Sequence, residues 1–159
     1  SDKPIDVFIN NAGMMGRSEQ NFNSVSAEPW LEVIKVNLIA PLLITQSIID
    51  NIKKGFDKKI YFLSSRVGSI EDNSGGGRYI YRSSKTALNQ VVKSLSIDLN
   101  SLGITVISLH PGWVRTDMGG PNALISIDES IDGMMSVIEK TDIKNTGQFL
   151  NYDGNEIPW

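Results

Sequence analysis

Apolar residues along this chain fall into short β-branched blocks separated by longer stretches in which they recur every three to four positions. Ile5 to Asn10 reads Ile-Asp-Val-Phe-Ile-Asn and ends at Asn-Ala-Gly, which predicts a first strand. A helix is expected to follow, capped by Ser26, with Glu28 and Pro29 in its first turn and Trp30, Val33, Ile34 and Asn37 on one face, running to about Lys53. Ile60 to Leu63 predicts a second strand, and the polar, glycine-rich stretch 64–77 a long functional loop. A second helix is expected over 79–102, with Ala87, Leu88, Val91, Val92, Leu95 and Leu99 at helical spacing and Gly103 as its stop. Ile104 to Leu109 forms a third strand broken by His-Pro-Gly. Ser126 and Glu129 have capping-box spacing for a third helix ending near Lys140, and Gly147 to Tyr152 is a fourth strand.

The resulting order, β-α-β-α-β-α-β, predicts an α/β fold: a parallel, doubly wound sheet with right-handed crossovers and helices on both faces. A length of 159 residues fits one domain with one sizeable core. Net charge is -3, with basic residues dispersed, so nucleic acid is not an expected partner. There is no cysteine and one histidine, His110, which leaves no metal site to expect. The apolar stretch Val36 to Ile44 is interrupted by Asn37 and Pro41 and falls short of the ~20 residues of a membrane span. With no signal-like N-terminus, these features predict a cytoplasmic protein without a membrane partner.

Ligands of a parallel α/β sheet bind beyond the carboxyl ends of its strands. Those ends carry Asn10-Asn11-Ala12-Gly13, then Ser64-Ser65, then Pro111-Gly112-Trp113-Val114-Arg115-Thr116. Tyr81 and Lys85, four apart at the start of the second helix, share a face directed to the same crevice. An ammonium beside a phenol favours the phenolate and would lower its pKa from about 10, so that Tyr81 could exchange a proton near neutral pH. Ser65 on the adjacent strand end could bond the same substrate oxygen. Such a set suits carbonyl reduction or alcohol oxidation, and because no side chain transfers hydride it demands a nicotinamide cofactor. A Tyr-x-x-x-Lys pair alone arises by chance in about one chain in four of this composition; the ordered set of strand-end motifs carries the weight.

Other candidates have a plainer reading. His110 is less suited to catalysis than Tyr81 and Lys85, which already supply the proton chemistry. Met14 and Met15 suit either substrate contact or packing. Met134 and Met135 read as core of the third helix. Gly75 to Gly77 lack P-loop spacing and read as a mobile active-site loop. Trp30 is expected to anchor helix packing, Trp113 to stand at the pocket edge, and Asn37 to need a buried partner.

With these motifs in place, the chain resembles the short-chain dehydrogenase/reductase family over Ile5 to Trp159. Tyr81-Arg82-Ser83-Ser84-Lys85, His110 to Gly120 and Phe149 to Gly154 are similar to the sniffer-type carbonyl reductases and the C-factor signalling proteins. The resemblance implies Tyr81 as the acid-base residue, Ser65 as the group that orients substrate, and Lys85 as both the residue that lowers the tyrosine pKa and a ribose ligand. It implies Asn37 as anchor of a proton-relay water. Asn11, Ala12 and Gly13 would line the adenosine side of the cofactor, and Pro111, Gly112, Val114 and Thr116 the nicotinamide side. NAD or NADP is implied, NADP being favoured, with a small carbonyl or alcohol substrate and a homo-oligomer built on the helices of Asn37 and Tyr81.

The family's glycine-rich Gly-x-x-x-Gly-x-Gly turn is absent from this sequence, so residues 1–159 are expected to be a single partial Rossmann-like domain, an N-terminally truncated form whose first strand is an exposed edge. That expectation leaves open whether the chain itself is active. Its alternative is a non-enzymatic, C-factor-like signalling or interaction fragment.

Overall fold

The computed structural model describes residues 2–17 and 19–159. β1 (Val7–Asn10) leads through a loop into α1 (Ala27–Ile34), which passes by a π-helical turn, Lys35–Ile39, into α2 (Ala40–Lys53). Then come β2 (Lys59–Leu63), a 3₁₀ turn at Arg66–Gly68, α3 (Tyr79–Asp98), β3 (Thr105–His110), α4 (Ile127–Lys140) and β4 (Phe149–Asn151). The strands form one parallel sheet in the order β1-β2-β3-β4, with Ile60 opposite Phe8 and Val106 and with Leu109 opposite Leu63 and Leu150. Elements match the sequence pattern to within a few residues, α3 being the exception. It ends at Asp98, and a 3₁₀ turn, Asn100–Leu102, carries the chain to Gly103, whose φ of 69° is a left-handed stop.

Alternate residues of β2 explain both layers of the core. Ile60 and Phe62 pack with Ile52, Leu88, Val92, Ile104 and Val106 beneath α2 and α3, whereas Tyr61 points the other way to Ile107, Leu109, Val137, Ile138 and Leu150 beneath α4. The sheet is therefore covered on both faces, as a doubly wound parallel sheet requires. The expectation of uniformly right-handed crossovers fails at one connection. β1-to-β2 and β2-to-β3 step in one direction with their helices on one face; β3-to-β4 takes the same step with α4 on the other face, so its hand is opposite. The long connection 111–126 carries the chain across the strand ends before α4 begins.

Local signals were uneven. Ser126 accepts from the Glu129 amide (3.1 Å) while the Glu129 carboxylate accepts from the Ser126 amide (2.7 Å), a complete capping box that also pulls the Glu129 pKa down. Ser26 occupies the N-cap of α1 but makes no side-chain capping bond, contrary to expectation. Met134 packs under α4, but Met135 is exposed. The run Ala27–Lys53 is one helical stretch long and apolar enough to cross a membrane by length and composition, although its sequence looked too interrupted. The π turn takes up Pro41, which has no amide to donate, so neither it nor Asn37 breaks the helix. Pro29, Val33, Asn37, Thr45 and Ile52 form its buried side, and Leu31, Ile39, Leu43 and Ile44 lie on the exposed one. β1 pairs with β2 alone among the described residues, leaving an edge on which Ile9 is 41% exposed.

Candidate active site

A crevice of about 790 Å³ opens beyond the carboxyl ends of β1, β2 and β3. Its lining brings together Asn11 and Gly13 after β1, Ser65 after β2, Tyr81 and Lys85 from the first two turns of α3, and Pro111, Gly112, Val114 and Thr116 after β3. Two residues expected there do not line it: Ala12, which is exposed, and Asn37, which is fully buried. A smaller depression of about 350 Å³, between α4 and the turn after β4, contains none of the expected residues.

Hydrogen bonds fix the wall that carries Tyr81 and Lys85. The Asn37 carboxamide accepts from the Met14 amide (2.8 Å) and donates to the Met14 carbonyl (2.8 Å) and the Ser84 hydroxyl (3.0 Å), which itself donates to the Tyr81 carbonyl (2.8 Å). The loop after β1 is thus fastened to α3 through one buried side chain. Asn89, further along α3, is a second fastening: its oxygen accepts from Ser64 and Ser108 (both 2.7 Å) and so holds the ends of β2 and β3 together. Gln20 caps α3 from a distance: its oxygen accepts from the Tyr81 amide (2.8 Å) while its amide donates to the Met15 and Arg17 carbonyls (2.7 and 2.8 Å). The N-cap position itself, Arg78, supplies no side-chain bond. Gly68 lies so close to α3 that a Cβ would come within 2.8 Å of the Lys85 Cβ.

Burial dominates the electrostatics. It raises the Tyr81 pKa, against which the Ser65 hydroxyl, interacting with the phenol oxygen, and the charge of Arg78 act more weakly. The net direction is therefore upward, opposite to the lowering that the spacing led one to expect. The Lys85 ammonium donates to the Leu63 carbonyl (2.8 Å) and stands 5.8 Å from the centre of the Tyr81 ring, and burial brings its own pKa down to about 8. His110 is held to about 4, by burial first and the nearby Arg66 second, and its buried Nδ1 has no hydrogen-bond partner among the described residues. It is a neutral imidazole at pH 7. The crevice therefore holds a neutral phenol beside an ammonium at neutral pH.

The opposite wall is the segment 111–126. Trp113 donates to the Gly119 carbonyl (2.7 Å), Val114 bridges Ile125, and Ser130 of α4 donates to the Pro111 carbonyl (2.6 Å). Trp113 stands at the pocket edge, half exposed, and Trp30 donates to Ser83 (2.9 Å), tying α1 to α3; both were expected as anchors. Met15 lines the crevice, whereas Met14 is held by its backbone. The 75–77 loop is fastened to α3 by Arg82, which donates to the Gly76 and Val67 carbonyls. The sequence reading missed Gln20, Asn89, Arg66 and Arg78. Gln20 lies in an irregular polar loop where no periodicity marks burial, and Asn89 sits among apolar helix positions, its burial the one available signal.

The family model for short chain dehydrogenases matches residues 2–124. The C-signal protein of Myxococcus xanthus is 39% identical over 156 residues, covering 98% of this chain and 93% of that protein. Among solved structures, the carbonyl reductase Sniffer of Drosophila melanogaster superposes with a TM-score of 0.95 at 36% identity, over all of this chain and 68% of that one. The NADPH-bound carbonyl reductase from chicken fatty liver gives 0.91 at 35%, over 99% of this chain and 67% of that one. The chain therefore belongs to the short-chain dehydrogenase family, a family of oxidoreductase enzymes.

Proposed function

We propose that the chain carries the reaction centre of an NAD(P)(H)-dependent carbonyl reductase or alcohol dehydrogenase. The observation that carries this reading is the meeting of Ser65, Tyr81 and Lys85 in one crevice with Asn11, Gly13 and the 111–116 wall. The residues present fit a nicotinamide riboside: a Cβ on Gly13 would stand 3.4 Å from the Lys85 ammonium and 3.5 Å from the Asn37 oxygen, so the glycine leaves that cradle open. NADP(H) is the favoured form, since the chicken relative is an NADPH complex. When bound, the cofactor supplies the hydride that no side chain can.

The protein's own residues then manage the proton and the substrate oxygen. Tyr81, kept neutral by burial, gives its phenolic proton to the carbonyl oxygen as the carbonyl is reduced, and takes one back in the oxidation direction. Ser65 donates to the same oxygen and stabilises charge developing there. Lys85, a cation below pH about 8, stabilises the tyrosinate left behind and offers its remaining N–H groups to the ribose. Asn11 would face the adenosine side, with Ala12 outside the crevice lining, and Pro111, Gly112, Val114 and Thr116 would flank the nicotinamide. Asn37 has its carboxamide engaged by Met14 and Ser84, which favours a positioning role over direct holding of a water by that side chain.

Residues 1–159 are read as one partial Rossmann-like domain, which makes cofactor affinity the quantity to measure. Saturable NADPH binding and its consumption with benzaldehyde support the reading; absence of both defeats it. The second reading, a non-enzymatic signalling or interaction fragment, is favoured by the similarity to C-signal over 93% of that protein's length. It predicts partner binding that Tyr81→Phe leaves intact, in a chain that transfers no hydride.

A further inference from the structure

The crevice lining contains no aspartate or glutamate, yet it contains three cations: Lys85, Arg66 and Arg78. Lys85 is committed to the Leu63 carbonyl and to the reaction centre. Arg66 faces Asp72 at 3.6 Å, a loose and exposed pair. The Arg78 guanidinium has no ion-pair or hydrogen-bond partner among the described residues, although its charge is felt at Tyr81 three positions on. Both arginines belong to the wall that holds the reacting hydroxyls, one directly after Ser65 and the other directly before α3.

The backbone at Arg78 sharpens the point. Gly76, Gly77 and Arg78 form a run of three left-handed residues, with φ of 62°, 62° and 48°. Glycine adopts that conformation freely, whereas a side chain there is strained. No ion pair or hydrogen bond among the described residues offsets the strain of an arginine at the third position. An unpaired guanidinium at the rim of an acid-free crevice is a ready bidentate partner for a planar anion. Across the crevice Trp113, Met118, Ile127 and Ile131 supply an apolar wall for the rest of a substrate.

Building on the reductase reading, we propose that the crevice selects carbonyl substrates bearing a carboxylate, with Arg78 as the principal anion-binding residue and Arg66 as its auxiliary. An aromatic or aliphatic body lies against Trp113 while the reacting carbonyl meets Ser65 and Tyr81.

The test compares 4-carboxybenzaldehyde with benzaldehyde as substrates for NADPH oxidation. The carboxylate is expected to win in kcat/KM by about tenfold, the equivalent of one good charge-assisted contact. Arg78→Gly suits the left-handed backbone, so folding is not at risk, and it should bring the ratio to near one; Arg66→Gln should lower it less. Raising the ionic strength should compress the wild-type ratio. Titration of 4-carboxybenzyl alcohol against benzyl alcohol, followed at the Trp113 indole by NMR, reads the same ratio as affinities without turnover. Equal use of both aldehydes, or a ratio that survives Arg78→Gly, overturns the carboxylate assignment while the reductase reading stands. Turnover of neither aldehyde overturns the reductase reading, and the binding ratio then decides the anion site alone.

Discussion

The two walls of the crevice are built differently. The wall of Ser65, Tyr81 and Lys85 is fastened by buried polar side chains: Asn37, Asn89 and Gln20 each bond a partner in another element, and Ser84 links Asn37 to the Tyr81 carbonyl. The 111–126 wall is held mostly by bonds within its own segment, and it exposes Trp113, Met118 and Leu124. A reaction centre has to be rigid to within fractions of an ångström, whereas a surface that meets the body of a substrate gains from apolar area and adaptable shape. On the proposed reading, the fastened wall carries the proton chemistry and the anion contacts of Arg78 and Arg66, and the facing wall meets the apolar body of the substrate.

Mutations should separate the walls in the same way. Removing the phenolic hydroxyl with Tyr81→Phe should cost about 10²–10⁴-fold in turnover and leave the unfolding midpoint nearly unchanged. Ser65→Ala should cost about 10²-fold, in kcat rather than in KM, as steady-state kinetics would show. Asn37→Ala orphans the Met14 amide and carbonyl together; a loss of about 2–4 kcal/mol in urea unfolding is expected, and an unchanged midpoint would contradict its role as a fastening. On the facing wall, Trp113→Ala should change KM severalfold for bulky aldehydes while altering kcat and stability little.

Lys85 gives a prediction in pH. Its pKa falls from 10.5 to about 8 on folding, so between those values the unfolded chain binds more protons than the folded one, and stability should rise with pH across that window. At about 1.4 kcal/mol per unit, the gain is of the order of 3 kcal/mol. Above pH 10 the raised Tyr81 pKa works in the opposite sense, because the folded state then keeps a proton that the unfolded state loses. Lys85→Met should flatten the rise in chemical denaturation curves taken from pH 7.5 to pH 10, a range set by those two values. A rise of equal slope in the variant would assign it elsewhere.

Much of this was legible in the sequence because parallel strands and their following loops write local signals. Ile60 to Leu63 and Ile104 to Leu109 are dense in β-branched and aromatic residues, and the strand ends that they define are where the crevice lies. What escaped was long-range. The side of the sheet on which α4 packs depends on how 111–126 crosses the strand ends, which no window of sequence reports. The Tyr81 pKa likewise depends on how deeply α3 is buried; spacing alone shows that Lys85 is near, and the larger effect of desolvation comes only from packing. Gln20 bonds an amide 61 residues away, so its role exists only in the fold.

The most direct test of the proposed chemistry follows the label from NADPH deuterated at the nicotinamide carbon that donates hydride into an aldehyde, comparing the wild-type chain with Tyr81→Phe at equal folded concentration. Stereospecific deuterium in the alcohol product of the wild type is predicted, with a rate at least about a hundredfold lower in the variant. Deuterium transfer at matching rates in both proteins would contradict it.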